Sequence, residues 1–317
     1  MKRGRIFGVR FHFLGFFLVF LTFFSPIFLS GCDVCTPGGE SGKDFGKEET
    51  YVRVVSLTPA ITEMIYALGR SDRLIGVSRF CRFPPEAQEK MLVGGYYDVN
   101  RELLMKLSPD HVFLPVGEND VRASLEAVGL KTCALDLRTV ESVYASLLSL
   151  GKMLDAEREA ETLIAEMKSR METLRQNAEK NFSQRKKVLF VVGRNYDARL
   201  PEDVYITGND RFCNALLEIA GGENVYTGKT PFPKISLEGI LLMNPDIIVE
   251  SVPEALCREF TEAEIVRAWE KVNVKAMRNG EIYLMDDSPP LIPSVSMTGW
   301  AEKLQRKWMR ADEKKGE

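Results

Sequence analysis

The residues best suited to binding chemistry occur in two matching segments of this chain. In each segment an aromatic residue comes shortly before a glutamate: Tyr96 before Glu102, and Phe232 before Glu238. The two glutamates are 136 positions apart, and the same interval separates the Pro-Asp pairs that follow them. Aromatic rings can stack on a flat ligand, and carboxylates can pair with cationic partners. A unit repeated in this way predicts two similar lobes with a cleft between them, where ligands usually bind.

Each of these residues also has a structural explanation that requires no function. Asn100 and Ser236 are favoured helix N-caps, which would place Glu102 and Glu238 in the first turn of a helix. A negative charge there complements the helix dipole and contributes a few tenths to about 1 kcal/mol of stability. The aromatic rings could pack against their own lobes. The capping role and a binding role do not exclude each other.

Other side chains near predicted strand ends are weaker candidates for contact with a ligand. Some are aromatic, and the others are basic residues that could reach an anionic ligand or remain solvated surface charges. The aromatic candidates are Tyr97, Phe80, Phe83 and Tyr196, and the basic ones are Arg79, Arg82 and Arg194. Cys81 could bind a metal centre, although a buried or paired thiol is the simpler interpretation.

Histidine and cysteine usage argues against a catalytic or metal site. Apart from one histidine near the N-terminus, His111 is the only histidine, and it opens a predicted strand. One histidine cannot build a multi-histidine metal site, and no catalytic triad or dyad can be assembled around it. After Cys32 the cysteines are Cys35, Cys81, Cys133, Cys213 and Cys257, without the close spacing of a zinc site and without an evident pairing. The sequence predicts a binding protein with no resident cofactor.

The N-terminus predicts a secretory signal over residues 1–31. Four of its first ten residues are basic, and an uncharged stretch rich in Phe and Leu follows from Phe11 to Leu29. The run Leu29-Ser30-Gly31-Cys32 resembles a bacterial lipobox, which implies cleavage before Cys32 and a lipid on its thiol. A lipid anchor would hold the protein at a membrane without a spanning helix. The alternative is that the apolar stretch is itself a membrane-spanning helix.

Residues 32–50 predict a flexible tether because they are rich in Gly, Glu and Lys. The tether would span on the order of 24 Å. Removal of the signal takes away four basic residues and changes the net charge from −3 to about −7. This acidic balance argues against nucleic acid as a partner.

The remainder alternates short β-rich runs with helical patterns, which predicts two α/β lobes, 51–150 and 183–310, each a mostly parallel sheet flanked by helices. The predicted strands are 53–57, 74–77, 111–114, 132–135, 187–192, 225–226, 247–249 and 282–284. The predicted helices are 61–68, 121–128, 211–219 and 262–269.

A single long helix is predicted between the lobes, within the segment 151–182. Asp155 to Lys180 contains no Gly or Pro, and its apolar residues recur at steps of three and four. At 1.5 Å per residue this helix would be about 39 Å long. It predicts a stiff connection between the lobes.

Taken in order, several motifs resemble those of the periplasmic binding proteins for cobalamin and ferric siderophores. These are receptors of ABC importers with two α/β lobes bridged by one helix, and the resemblance covers Arg53 to Lys307. The motifs are VSLTPAITE at 55–63, IGVS at 75–78, FPPEA at 83–87, VGG at 93–95, SPD at 108–110 and GGENV at 221–225.

The resemblance implies roles for the matched residues. Glu102 and Glu238 would dock onto arginines of the ABC permease, which works with its ATPase, and Tyr96 and Phe232 would hold the ligand between the lobes. Family members often carry a Pro-Arg pair late in the second lobe, whereas residues 286–294 here contain no arginine. We therefore expect an extracytoplasmic receptor for a nearly neutral macrocycle, a corrinoid first. The alternatives are a ferric siderophore or haem receptor and, more remotely, a chelatase-like enzyme or a sensor lipoprotein.

Overall fold

The computed structural model describes residues 51–117, 119–252, 259–285 and 292–316, with side chains up to residue 309. The predicted signal, the tether and Cys32 lie outside these residues. In the part of the chain that is described, no helix combines the length and the apolar character needed to cross a membrane.

The first lobe is built on a sheet whose strands are all parallel, in the order β3-β2-β1-β4-β5. The strands are β1 (Val54–Ser56), β2 (Leu74–Val77), β3 (Met91–Leu92), β4 (His111–Pro115) and β5 (Thr132–Leu135). The helices are α1 (Pro59–Ala67), α2 (Arg101–Leu107), α3 (Asn119–Glu126) and α4 (Val140–Met153). Helix α1 begins with Pro59 at its first turn and stops before Gly69, whose φ of 68° suits glycine.

The second lobe repeats the parallel plan around β6 and adds an antiparallel edge. Its sheet has the order β11-β10-β6-β7-β9, in which β7 runs antiparallel to both of its neighbours. The strands are β6 (Lys186–Asn195), β7 (Glu202–Ile206), β8 (Gly222–Asn224), β9 (Lys234–Ile235), β10 (Ile247–Ser251) and β11 (Ile282–Met285). The helices are α6 (Arg211–Ala220), α7 (Leu237–Met243), α8 (Glu262–Arg267), α9 (Lys275–Arg278) and α10 (Met297–Gly316). The predicted fold class, two α/β lobes with mostly parallel sheets, is confirmed.

The long connecting helix is α5, Glu157–Asn181, which confirms the helix predicted from Asp155 to Lys180. Its apolar stripe is buried at Ala160, Met167, Met171, Leu174 and Ala178. Helices α4, α6 and α10 pack against it. One continuous cluster of buried residues therefore runs from the first lobe through α5 into the second lobe.

The final helix, α10, was not predicted, and it closes the second lobe against the connector. The Gln305 Nε2 donates to the Leu174 carbonyl of α5 at 2.7 Å and to the Ala220 carbonyl at 3.4 Å. Arg170 makes two parallel hydrogen bonds to the Glu302 carboxylate, at 2.7 and 2.9 Å. The Trp300 ring stacks on Phe190, with centroids 5.4 Å apart.

The strand predicted at 225–226 is wrong. The strand in that region is β8, Gly222–Asn224, which pairs in parallel with β6. A side chain at Gly222 would meet the Trp308 ring at 2.8 Å, so close packing of α10 requires glycine there. The preceding Gly221, with a φ of 100°, ends α6 in the left-handed conformation that suits glycine.

Candidate functional site

The two matching segments fold into two matching helices with the same terminal geometry. The Asn100 Oδ1 accepts a hydrogen bond from the Leu103 amide at 3.0 Å, and the Ser236 Oγ accepts one from the Gly239 amide at 3.2 Å. Both helices end on a left-handed residue, Ser108 with φ 47° and Asn244 with φ 44°. The sequence repeat is thus a repeat of local structure.

The Pro-Asp pair after each helix fastens it to the first strand of its lobe. The Asp110 Oδ2 accepts from the Arg53 and Val52 amides at 2.8 and 2.9 Å, and the Asp246 Oδ2 accepts from the Lys187 amide at 3.1 Å. The backbone hydrogen bond from Arg53, followed by that from Val52, lowers the pKa of Asp110. Each glutamate-bearing helix is therefore held rigidly on its own sheet.

Glu102 and Glu238 both lie exposed in the first turn of their helices, α2 and α7. The backbone amide of Glu238 and the Ser236 hydroxyl lower the pKa of the Glu238 carboxyl, so it carries a negative charge at neutral pH. The geometry fits the capping interpretation, and it also leaves both carboxylates accessible to a partner.

The two equivalent aromatic residues differ in exposure. Phe232 is 48% exposed, whereas Tyr96 is partly buried and packs against the core of the first lobe. The neighbouring Tyr97 is 80% exposed, and its ring meets that of Tyr96 edge to face with centroids 5.1 Å apart. In the first segment, the more accessible ring is therefore that of Tyr97, which the sequence ranked below Tyr96.

The first lobe brings two exposed aromatic segments together. The Arg79 amide donates to the Gly94 carbonyl at 2.8 Å, and the Arg79 guanidinium pairs with Asp98, next to Tyr97. The same guanidinium lies 5.9 Å from the centroid of the Phe80 ring. Phe80 and Phe83 are about half exposed, and Arg82 is exposed. Arg79 is thus a half-exposed surface charge that pairs with a carboxylate of its own lobe.

The structure contradicts both sequence interpretations of Arg194. Its side chain is only 1% exposed, and its Nε donates to the Glu250 Oε1 at 2.8 Å. Its Nη2 donates to the Ile265 carbonyl at 3.0 Å, while the Trp269 Nε1 donates to the Glu250 Oε2 at 2.7 Å. Burial raises the pKa of Glu250, whereas Arg194 and Trp269 oppose that shift. Arg194 is therefore neither a surface charge nor available to an anionic ligand.

Arg194 instead supports Tyr196, another predicted contact residue. The guanidinium carbon lies 4.4 Å from the centroid of the Tyr196 ring, in a cation–π arrangement. The Tyr196 hydroxyl donates to the Ser251 carbonyl at 3.4 Å, and the ring lies 6.1 Å from that of Phe260. No local pattern in the sequence indicates the Glu250 partner, because the pair forms only when β6 and β10 lie side by side.

The cysteine and histidine side chains that could bind a metal pack against other residues of the fold. Cys81 is buried, and its sulfur lies 3.1 Å from the Thr62 hydroxyl and 3.3 Å from that of Ser78. Cys133 and Cys213 are also buried, while Cys257 lies outside the described residues. His111 stacks on Tyr51 with ring centroids 3.9 Å apart. Within the described residues, no group of three or more His, Cys, Asp and Glu side chains is placed to hold a metal.

Glu63, which ends the VSLTPAITE motif, has a role that the sequence did not reveal. It is buried in α1, and its Oε2 accepts from the Ser296 hydroxyl, just before α10, at 2.8 Å. The Ser294 hydroxyl donates to the Ala60 carbonyl at 3.1 Å. Burial raises the pKa of Glu63, against the opposing hydrogen bond from Ser296. Ser294 is the last residue of the 286–294 region, which lacks the family's Pro-Arg pair. Residues 286–291 of this region lie outside the described residues.

Comparison with known proteins places these features in a family context. The sequence profile described as periplasmic binding protein matches residues 54–289. An uncharacterised ABC transporter substrate-binding lipoprotein of Bacillus subtilis, YvrC, is 28% identical over 256 residues, covering 78% of this chain and 76% of its own length. A vitamin B12-binding protein of Salmonella typhimurium is 30% identical over 204 residues, covering 62% of this chain and 71% of its own length.

Solved structures share the fold. The periplasmic vitamin B12-binding protein BtuF of Vibrio cholerae matches with a TM-score of 0.69 and 20% identity, covering 83% of this chain and 98% of that one. The periplasmic haem-binding protein BhuT matches with a TM-score of 0.71 and 22% identity, covering 83% of this chain and 99% of that one. At these identities the likeness concerns the fold, two α/β lobes with one connecting helix.

Proposed function

Because this chain belongs to the periplasmic binding protein family, whose profile matches residues 54–289, we propose that it captures a corrinoid and delivers it to an ABC importer. The family consists of substrate-binding proteins of ABC transporters and not of enzymes. The proposed lobes are 51–150 and 183–310, joined through 151–182, with the ligand between them. Extracytoplasmic placement follows the family, and lipid attachment at Cys32 is part of the proposal.

The observation that carries the ligand proposal is the set of exposed rings on the matching segments. Phe232 in one lobe and Tyr97 in the other offer apolar faces at the same offset from the two glutamates, within one residue. Tyr96, Phe80, Phe83 and Tyr196 would complete the surface. Stacked rings suit a large, flat and nearly neutral macrocycle.

Charge and ancestry support a corrinoid over a multiply charged chelate. Arg79 and Arg194 are both engaged by carboxylates of the protein, so neither offers an unpaired cation to a catecholate. Several relatives are named vitamin B12-binding proteins, among them that of Salmonella typhimurium. The alternative ligands are a ferric siderophore or haem.

Ligand binding tests the proposal directly. Purified protein is titrated with cyanocobalamin, haemin and a ferric hydroxamate, and binding is followed by calorimetry and visible absorbance. We expect cyanocobalamin to bind most tightly, and the double variant F232A/Y97A to weaken it at least about tenfold, since buried stacked rings are typical binding hot spots.

A matched control removes a similarly exposed ring from outside the two segments, Tyr205 of β7. The variant Y205A should bind like the wild type. Tight binding of haemin or the ferric chelate alone would change the ligand but keep the function class. No binding of any member of the panel would contradict the proposal.

A further inference from the structure

The two glutamate-bearing helices share an exposed stripe that the fold does not use. In α2 the stripe consists of Glu102, Met105 and Lys106, and in α7 it consists of Glu238, Leu241 and Leu242. Residues at i, i+3 and i+4 of a helix lie on one face. We call these two sets the docking stripes.

Large apolar side chains are exposed within both docking stripes. Met105 is 44% exposed and Leu241 is 41% exposed, at equivalent positions one turn after the glutamates. Leu242 is 87% exposed, the highest value among the large exposed hydrophobic residues that the structure describes. The helices bury their opposite faces fully through Leu104 and Ile240, and the apolar residues of the stripes are not among the buried core residues.

We propose that each docking stripe is a mixed contact for the ABC permease, in which an apolar side chain packs beside the anchoring glutamate. This inference rests on the proposed transport function and adds an apolar component to the contact. The partner surface would present, for each lobe, a cation for the carboxylate and a small apolar patch for Met105 or Leu241. Interface centres combine buried apolar anchors with a polar rim in this way.

The chemistry of the stripes favours a protein with two matching sites over other occupants. An anionic lipid surface would repel the glutamate that stands in each stripe. A second copy of this chain that packed α7 against α7 would bring two Glu238 carboxylates together, which costs free energy. A partner with two equivalent cationic and apolar sites matches both stripes at once, because the stripes repeat at the same offset in both lobes.

The two stripes differ in charge at one position, and this difference predicts a difference in the salt sensitivity of the two contacts. Lys106 occupies the position of the first stripe that Leu242 occupies in the second. The contact of the second lobe should therefore be more apolar and less sensitive to salt. Screening weakens exposed charge pairs but leaves apolar burial largely intact.

Binding of the ligand-loaded protein to the cognate permease–ATPase complex in nanodiscs tests the inference. Affinity is measured at low and at high salt for L241S/L242S, for E102Q/E238Q and for L242K, which copies the first stripe. The control, M91S/L92S, removes a similarly half-exposed apolar pair from β3. Thermal melting and cyanocobalamin affinity verify that each variant folds.

We expect L241S/L242S to lose at least about tenfold in affinity at both salt concentrations, because apolar burial is lost. The loss caused by E102Q/E238Q should shrink at high salt, L242K should make docking more salt-sensitive, and M91S/L92S should bind normally.

The outcomes separate the inference from the function on which it rests. Normal docking of L241S/L242S together with impaired docking of E102Q/E238Q would overturn the apolar contact and leave the transport proposal intact. Failure of the wild-type protein to bind the permease would remove both. A variant that altered only self-association, measured by light scattering, would assign the stripe to a second copy and overturn the inference.

Discussion

At the junction between the lobes, the Glu63 carboxyl links α1 to the segment that precedes α10. The Glu63 Oε2 accepts from Ser296, and the buried Oε1 has no hydrogen-bond partner among the described residues. A half-satisfied buried acid is destabilised when it is ionised, because its charge loses the solvation of water. The protonated acid is therefore the form that suits this junction.

The variant E63Q should be more stable than the wild type at neutral pH. Since the folded pKa of Glu63 is raised, the folded protein binds this proton more tightly than the unfolded chain, and stability falls as pH rises above the ordinary value of 4.5. Glutamine remains neutral and can still accept from Ser296. Thermal melting should show a gain of a few degrees at pH 7 that disappears near pH 4. An equal loss at every pH would contradict this account, and S296A, which removes the donor, should be less stable than the wild type.

Cys32 is proposed as the attachment point of the lipid. Changing it to serine removes the thiol that the lipid would occupy while leaving residues 51–316 unaltered. In a bacterial host, C32S should therefore move from the membrane fraction to the soluble extracytoplasmic fraction, as detected by immunoblotting. C35S, which alters the neighbouring tether cysteine, is the matched control and should remain in the membrane fraction. Retention of C32S at the membrane with an uncleaved N-terminus would favour a spanning helix.

At the scale of elements, the buried network around Arg194 joins β6, β10 and α8. The guanidinium bonds to Glu250 on β10 and to the Ile265 carbonyl on α8, and it supports the Tyr196 ring just after β6. All of these contacts lie within the second lobe. The position of the Tyr196 ring is therefore supported by a buried ion pair as well as by packing.

The variant R194M should be destabilised by about 3–5 kcal/mol, because it leaves the Glu250 charge buried and unpaired. The double variant R194M/E250Q should recover much of this loss, since the amide oxygen can still accept from the Trp269 indole. Urea unfolding measures both. A loss below about 1 kcal/mol for R194M would show that the pair is of little importance to stability.

Elements determined by local sequence were predictable. The strand at Leu74–Val77, the helix from Arg211 and the two capped helices follow from β-rich runs, helical spacing and cap residues that lie within a few positions of each other. Helix α4 was missed although its cap at Thr139 is local, and so were elements that depend on distant partners. Strands β7 and β9 form an antiparallel edge, and α10 is positioned by α5, which lies more than a hundred residues earlier.

The same distinction between local and distant determinants applies to the candidate site. The exposed glutamates were found because their cap residues and their repeat are visible in the sequence. The burial of Tyr96 and the exposure of Tyr97 could not be inferred, because adjacent residues in a loop carry no periodicity. The pairing of Arg194 with Glu250 and that of Glu63 with Ser296 join residues far apart in the chain, so no local pattern indicates them.

At the scale of the whole molecule, one apolar cluster extends through the connecting helix into both lobes. It includes Ile61 of α1, Met167 of α5 and Phe190 of β6. The hydrogen bonds from Ser294 to Ala60 and from Ser296 to Glu63 add polar links between the two halves. A hinge that opened the lobes widely would have to expose part of this cluster to water.

Ligand binding should therefore change the shape of the protein only slightly. Small-angle X-ray scattering of the free and the cobalamin-bound protein should give nearly superimposable curves, because α5 and the shared core resist hinge closure. A useful control is a variant with two glycines in the exposed face of α5, E161G/E166G, which should broaden the distribution of shapes. A large decrease in radius of gyration on binding to the wild type would contradict the expectation.

The position of α10 late in the sequence also constrains the order in which parts of the protein can fold during synthesis. Gln305 closes onto Leu174, 131 positions earlier, and Ser294 closes onto Ala60, 234 positions earlier. Contacts this distant form slowly, because a long loop must close before they stabilise anything. During synthesis, the central core cannot be completed until residue 305 has been made. The first lobe and α5 are made well before the residues that join them to α10, so we expect the growing chain to expose apolar surface of the shared core until then.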